Sequence, residues 1–289
     1  MLNRLCIIGV GLIGGSFALS LREAGLVREV VGVDRDLENL RLAEFLGLID
    51  RGAASLEEGV EGADCVFIAV PVGVMPAIFR GLAPLWQNDT VYCDAGSTKR
   101  DVLAALESVF GEVPSNFVPG HPIAGAENSG ASAARAGLFS NRRVILTPVA
   151  GTRQEALELI RTLWESVGSR VSLMEATRHD QVLAATSHLP HVLSFALTAM
   201  LGKHDEKQEI FTYAAGGLRD FTRIAGSDPA MWRDISLANR DQLLPLIEEY
   251  RDALADVAKM LADEDADRLV HLFADANQAR KRFIDQLDK

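Results

Sequence analysis

Short apolar runs alternate with helical stretches through residue 174. The runs are Leu5–Gly9, Val30–Val33, Cys65–Val70, Val91–Asp94, Phe117–Pro119, Val144–Leu146 and Val171–Leu173. Between most of them, apolar positions recur at helical spacing, over Leu12–Ala24, Leu37–Phe45, Val74–Leu82, Lys99–Phe110 and Arg153–Val167. A run that is apolar at every position, rather than at alternate ones, is the mark of a strand covered on both faces. Strands of this kind separated by helices predict a mostly parallel sheet between two layers of helix.

After Met174 the strand signal stops. Thr177–Leu201 is apolar almost all round and reads as a buried helix. Leu243, Ile247, Tyr250, Leu254, Val257 and Leu261 then follow alternating spacings of four and three, and Leu269, Phe273, Ala276, Phe283 and Leu287 repeat a similar stripe. A narrow apolar seam suits a helix that packs on other helices. The pattern divides the chain into an α/β domain, residues 1–174, and an all-helical domain, residues 175–289. The helical part is expected to pair two copies of the chain into a homodimer. Covering a single monomeric core is the alternative.

Composition narrows the possible partners. The chain has 289 residues, 48% hydrophobic and 24% charged, which is the balance of a globular protein. Its net charge of -11 argues against a nucleic-acid surface, so an anionic substrate would need cations placed locally. Cys6, Cys65 and Cys93 each fall in a strand-like run, at spacings that fit neither disulfides nor a zinc site. Reduced core thiols point to the cytoplasm. The first twenty residues superficially resemble a signal peptide, but their four glycines fit a strand–turn–helix better. No other segment reads as long and apolar enough to span a membrane.

The glycines carry chemistry. "IIGVGLIGGS" places Gly9, Gly11 and Gly14 in the G-x-G-x-x-G spacing, between an apolar strand and a helix. Gly9 permits a tight turn, Gly11 lets a pyrophosphate approach the backbone, and Gly14 lets the helix pack close on the strand. The anion would sit over Leu12 and Ile13 at the helix N-terminus, facing unpaired N–H groups. Asp34 ends the next strand, twenty residues after Gly14, where a carboxylate binds ribose hydroxyls. It favours NAD, although Arg35 beside it leaves NADP possible. In an open parallel sheet ligands bind beyond the carboxyl ends of the strands. That edge receives Val70 and Pro71 near the nicotinamide, Ser97 in "VYCDAGSTK" and His121 in "FVPGHPIAG". Ser97 and His121 could converge there as a hydroxyl-handling pair, the imidazole taking a proton and the serine orienting the group that loses it. An incidental histidine in a turn is the other reading of "GHP". In "SHLPH", His188 and His191 lie three apart on one helical face with Ser187 and Phe195. They could bind a metal, but no third ligand stands at a convincing spacing, so none is expected.

Taken together, "GVGLIGGS", "DAGSTK", "GHPIAGAENSG", "SHLPH" and "GLRDFTRIAGSDPAMWRDI" resemble the prephenate dehydrogenase family, including its arogenate and cyclohexadienyl variants. The likeness runs in family order along nearly the whole chain. It implies a Rossmann-type dinucleotide-binding domain followed by a helical dimerisation domain. It also implies an enzyme that uses NAD to oxidise a 4-hydroxycyclohexadienyl acid with loss of its ring carboxylate. The products would be 4-hydroxyphenylpyruvate from prephenate, or tyrosine from arogenate, with CO2 and reduced cofactor. His121 matches the family's catalytic histidine and Ser97 its serine partner. Arg223 in "FTRIAG" matches the arginine that pairs with a substrate carboxylate, and His188 and His191 would face substrate and nicotinamide. Glu127, Asp220 and Trp232 match positions that line or gate the pocket. Because the chain ends soon after its last helix, the separate regulatory domain of some members is expected to be absent, so tyrosine would inhibit at the active site.

Two other readings compete. A β-hydroxyacid or 6-phosphogluconate type dehydrogenase shares the architecture but works through a lysine in a helix of the second half, where this chain offers only Lys203 and Lys207 in a polar loop. A nucleotide-sensing module would need the glycine turn but not Ser97, His121 and Arg223.

Overall fold

A computed structural model of the chain describes residues 1–126, 128–205 and 209–287. The chain forms two compact units, Met1–Arg240 and Asp241–Lys289.

In the first unit β1 (Leu2–Ile8), β2 (Val27–Val33), β3 (Arg51–Gly52), β4 (Cys65–Ile68), β5 (Val91–Asp94) and β6 (Phe117–Val118) form one sheet. Their order is β3-β2-β1-β4-β5-β6 and every pair is parallel. This is the doubly wound order, whose switch point lies between β1 and β4. The intervening helices are α1 (Leu12–Glu23), α2 (Leu37–Phe45), α3 (Leu56–Val60), α4 (Met75–Leu82), α5 (Arg100–Phe110) and, after the sheet, α6 (Gln154–Ser166). Every residue of β4 and β5 is buried, as their unbroken apolar pattern requires. On one face Phe17 and Leu21 of α1 and Trp164 of α6 pack with Phe67 and Cys93. On the other, Phe79 and Leu82 of α4 and Leu106 of α5 pack with Val66 and Ile68.

The expectation of a single sheet needs correction. The runs at Val144 and Val171 do not join it. They form β8 (Arg143–Leu146) and β9 (Arg170–Leu173), which with β7 (Gly120–Pro122) make a separate three-stranded sheet. The cause lies in "FVPGHP". Pro119 and Pro122 have no N–H to continue the parallel ladder, so β6 stops after Val118 and the chain turns away. His121 is therefore held in a strand, opposite Ile145 in an antiparallel pair, rather than in a loop. The edge strand β3 and the helix α3, capped by Ser55, are further elements that the apolar pattern did not announce.

From Ala176 on, every element among the described residues is helical. α7 (Ala176–Leu183) runs through a π-turn, Ala184–His188, into α8 (Leu189–His204). Pro190 accounts for the turn, since its ring and missing N–H cannot complete a regular turn against the residue four before it. This segment departs from expectation twice. Within Leu189–His204, Ser194 is the one fully buried residue, so the helix is not buried all round in the protomer. Ala176–His204 is also long and apolar enough, by length and composition alone, to cross a membrane. It nevertheless carries buried His179, Asp180 and His188, as a core helix with a polar task would. Lys203 lies in the last turn of α8 rather than in a loop, and Lys207 lies outside the described residues. α9 (Glu209–Thr212), α10 (Gly216–Thr222) and α11 (Pro229–Ala238) follow. α11 packs on the turn after β4, where a Cβ on Gly73 would stand 2.4 Å from an Asp234 carboxylate oxygen.

The last two helices are α12 (Arg240–Ala262) and α13 (Ala266–Leu287). Their predicted stripes stand largely exposed in the protomer: Leu254 is 53%, Leu261 61% and Phe273 58% accessible.

The glycine turn makes a prediction. Gly9 has φ +94°, and a Cβ on Gly14 would lie 2.2 Å from the Gly9 carbonyl oxygen, whereas one on Gly11 meets nothing within 4 Å. Gly14→Val should therefore lower the thermal midpoint by several degrees. Gly11→Val should leave the midpoint near that of the parent while weakening dinucleotide binding, as read by fluorescence titration. Equal destabilisation by both would contradict the assignment.

Candidate active site

Strand order brings three loops together at the carboxyl ends of β1, β4 and β5. Between them opens a cleft of about 530 Å³, lined by Gly11, Leu12 and Ile13 after β1, Val70 and Pro71 after β4, and Ser97 after β5. His121 of β7, His191 of α8, and Arg223 and Trp232 complete its wall. A second hollow of similar size, walled by Glu57, Glu58 and Glu61, has no histidine or cation in its lining.

The dinucleotide end fits its expected ligand. Gly11 caps α1 with no side-chain hydrogen bond and no atom above its α-carbon, so the first-turn N–H groups face an open cradle. Asp34 anchors the neighbouring turn by accepting from the Val10 N–H at 3.0 Å and the Asp36 N–H at 3.0 Å. Arg35 is exposed. Gly9, Gly14, Asp34 and Arg35 are not among the residues that line the cleft itself. Gly9 and Gly14 shape the turn.

At the other end, one buried carboxylate fixes the loop positions. Asp94, fully buried, accepts from the Gly96 N–H at 2.7 Å and the Gly120 N–H at 3.0 Å, and pairs with the Lys99 ammonium, itself fully buried. The loop carrying Ser97 is thus bound to the strand carrying His121. Asp94 and Lys99 stand on either side of Ser97 in "VYCDAGSTK", but the sequence pattern alone gave them no part in the site.

His179 and Asp180 were missed altogether. His179 Nε2 lies 2.9 Å from His121 Nδ1, and His179 Nδ1 lies 2.8 Å from the Asp180 carboxylate. That carboxylate also accepts the Lys99 N–H at 2.9 Å and the Arg100 N–H at 3.0 Å. Burial pushes the Asp180 pKa up, but the His179 hydrogen bond and these N–H groups outweigh it and hold it below the usual range. Burial drives His121 well below the ordinary histidine value, and His179, Lys99 and His188 add to the effect. His121 is therefore neutral at pH 7, able to accept a proton. The one signal in the sequence was the "HD" pair at the start of the helix that later carries "SHLPH".

His188 and His191 divide. His191 donates from Nδ1 to the Ser187 carbonyl at 2.8 Å and stacks on Trp232 with ring centroids 3.6 Å apart, at the cleft wall. His188 is buried behind it, its Nδ1 accepting from Asn239 at 3.1 Å, and it does not line the cleft. Asp220 is exposed and stands outside the cleft lining, while Glu127 lies outside the described residues. No cluster of metal-ligating side chains occurs among the described residues.

A glycine turn opening onto a neutral histidine, over the switch point of a doubly wound sheet, defines a dinucleotide-dependent dehydrogenase with an appended helical region. The comparisons specify the family. A model described as prephenate dehydrogenase, nucleotide-binding domain, matches residues 17–173, and one described as prephenate dehydrogenase, dimerization domain, matches residues 175–275. A cyclohexadienyl dehydrogenase from Zymomonas mobilis is 37% identical over 96% of this chain and 95% of its own length. A prephenate dehydrogenase from Bacillus subtilis is 35% identical over 97% of this chain and 76% of its own. Prephenate dehydrogenase from Aquifex aeolicus, solved in complex with hydroxyphenyl propionate and NAD+, superposes with a TM-score of 0.90 at 36% identity, covering 98% of this chain and 99% of that one. The chain belongs to the prephenate dehydrogenase family.

The buried histidines predict a pH dependence of stability. Burial pushes His188 down to about 4, against the opposing pull of Asp180. The unfolded chain protonates this ring near 6.5, so the stabilisation is intact above that pH and is lost as pH falls from 6.5 toward about 4. The full gap corresponds to about 3 kcal/mol. Urea unfolding from neutral pH to about pH 4.5 should show this decline, and His188→Asn should make it shallower. An unchanged slope in the variant would contradict it.

Proposed function

We propose that this chain catalyses the NAD-dependent oxidative decarboxylation of a 4-hydroxycyclohexadienyl acid, prephenate or arogenate, in tyrosine biosynthesis. The observation that carries the reading is His121, neutral and held at the cleft between the dinucleotide cradle and Arg223. The ligand of the Aquifex relative has a matching outline, a ring hydroxyl at one end and a carboxylate at the other. When bound, the nicotinamide supplies the acceptor for the hydride that leaves the ring carbinol carbon.

The chain's own residues do the rest. His121 takes the hydroxyl proton on Nε2, because Nδ1 is engaged with His179. Loss of that proton pushes electron density toward the carbon that releases hydride. The ring carboxylate then leaves as CO2, its bonding pair completing the aromatic ring. Ser97, lining the same cleft, orients the hydroxyl. Arg223 offers a planar fork to the side-chain carboxylate in a protein whose net charge is -11. Stacking on Trp232 and the bond to Ser187 fix the His191 ring at the cleft wall. Leu12, Ile13, Val70 and Pro71 give the cleft its apolar lining at the dinucleotide end.

The remaining assignments follow. The nucleotide-binding part ends at residue 174 and the helical part begins at residue 175, although the first helices of the latter belong to the compact unit Met1–Arg240. The exposed stripes of α12 and α13 pair with a second copy to make a homodimer. The three cysteines are free and buried, which suits a reducing cytoplasm. The β-hydroxyacid dehydrogenase reading is not favoured, since the helix that would supply its lysine presents His191 to the site.

His121→Asn should retain dinucleotide binding by fluorescence titration and lose ~100-fold or more in kcat. Arg223→Ala should raise the substrate KM by ~10-fold or more, the worth of a charge-assisted bidentate pair. Near-normal turnover in the first variant, or an unchanged KM in the second, would remove that residue from its role.

A further inference from the structure

We infer that His179 and Asp180 are positioning residues for His121: a carboxylate–imidazole–imidazole relay that sets which His121 nitrogen is the base and holds the charge formed there. This rests on the reading of His121 as the base of the reaction.

The direction of every hydrogen bond in the relay follows from its buried end. Asp180, 1% accessible, already accepts backbone N–H groups from Lys99 and Arg100 on its two oxygens, and Arg100 Nε adds a third donor at 3.2 Å. An ionised carboxylate can only accept, so His179 Nδ1 must carry the proton it shares with Asp180. In a neutral ring His179 Nε2 is then an acceptor, and His121 Nδ1 must donate to it. His121 is left with its lone pair on Nε2, the nitrogen free to meet the substrate hydroxyl. The same bonds stabilise the imidazolium that forms when Nε2 gains a proton. Its Nδ1–H strengthens toward His179, whose own N–H strengthens toward the carboxylate, with no second proton transferred.

Among the described residues, the other charged and titratable groups facing His121 are Lys99 after β5 and His188 from the π-turn, and both oppose a positive ring. A protonated His179 would do the same, so the relay needs His179 neutral, with Asp180 carrying the compensating charge. Asp94, the nearby acid, has its oxygens committed to Gly96, Gly120 and Lys99. Asp180 is held in turn from α11's end, where the Asn239 amide donates to its backbone carbonyl at 2.8 Å and to His188 at 3.1 Å.

The test uses the full chain with NAD and prephenate or arogenate, and three variants. Asp180→Asn presents an amide N–H to His179, which reverses both tautomers and puts the His121 proton on Nε2. His179→Phe removes the acceptor, whereas His179→Gln keeps one. The relay predicts a ~100-fold lower kcat in Asp180→Asn and His179→Phe, with substrate KM and NAD affinity within about threefold of the parent. His179→Gln should recover part of the loss. The acid limb of the kcat profile, a property of the coupled imidazoles, should move to lower pH in Asp180→Asn. Parental kcat in His179→Phe, a Gln variant no better than Phe, or an unmoved acid limb would overturn the relay. Should Asp180→Asn fail to fold, the Phe and Gln pair decides alone. A parent chain that reduces no NAD with either substrate would overturn the reading of the reaction itself, a result distinct from an active parent with indifferent variants.

Discussion

The buried carboxylate of Asp94 is the constraint on which the site depends. It stands at the end of β5, where the sheet stops and backbone groups lose their ladder partners. Its oxygens take the N–H of Gly96 on one side and of Gly120 on the other, and the Lys99 ammonium balances its charge, both side chains being fully buried. Removing one partner of a buried ion pair leaves the other uncompensated, typically a loss of about 3–5 kcal/mol, so the arrangement is rigid. Gly96 lies in the loop that leaves β5 of the first sheet, whereas Gly120 opens β7 of the second. One interaction therefore sets the distance between the Ser97 loop and the His121 strand, and crowds glycine at both positions: a Cβ on Gly96 would meet an Asp94 oxygen at 2.8 Å.

The π-turn in the long helix solves a second positional problem. His179 and His188 are nine residues apart, and in an unbroken α-helix such positions point about 180° away from each other. An extra residue in the turn rotates everything after it by about 100°, so that both histidines, and Asp180 beside them, serve one region of the protein. Pro190 forces the irregularity, and the irregularity places the chemistry.

These two devices mark where the sequence was legible and where it was not. Unbroken apolar runs gave the strands, and the glycine spacing gave the turn over β1 and α1, because those signals are local. Ser97, His121, His191, Arg223 and Trp232 were reachable through their motifs, and the structure lines one cleft with them. The separate sheet β7-β8-β9 was not reachable, because strand pairing is long range and only the two prolines in "FVPGHP" hinted at the break. His179 and Asp180 escaped for the same reason. Their partners are 58 and 81 positions away, at His121 and Lys99, and the helical period that relates them to "SHLPH" is broken by the π-turn. Asp220, expected near the pocket, is instead exposed.

The central claim is that a neutral imidazole and a dinucleotide cradle face one cleft, so that oxidation and loss of CO2 are coupled there. Its most direct test is the stoichiometry of the purified enzyme with NAD and prephenate, following reduced nicotinamide by absorbance and released CO2 in the same sample. The account predicts that the two appear in equal amounts and at the same rate. Reduced nicotinamide without CO2, or no reduction with prephenate or arogenate, would contradict it.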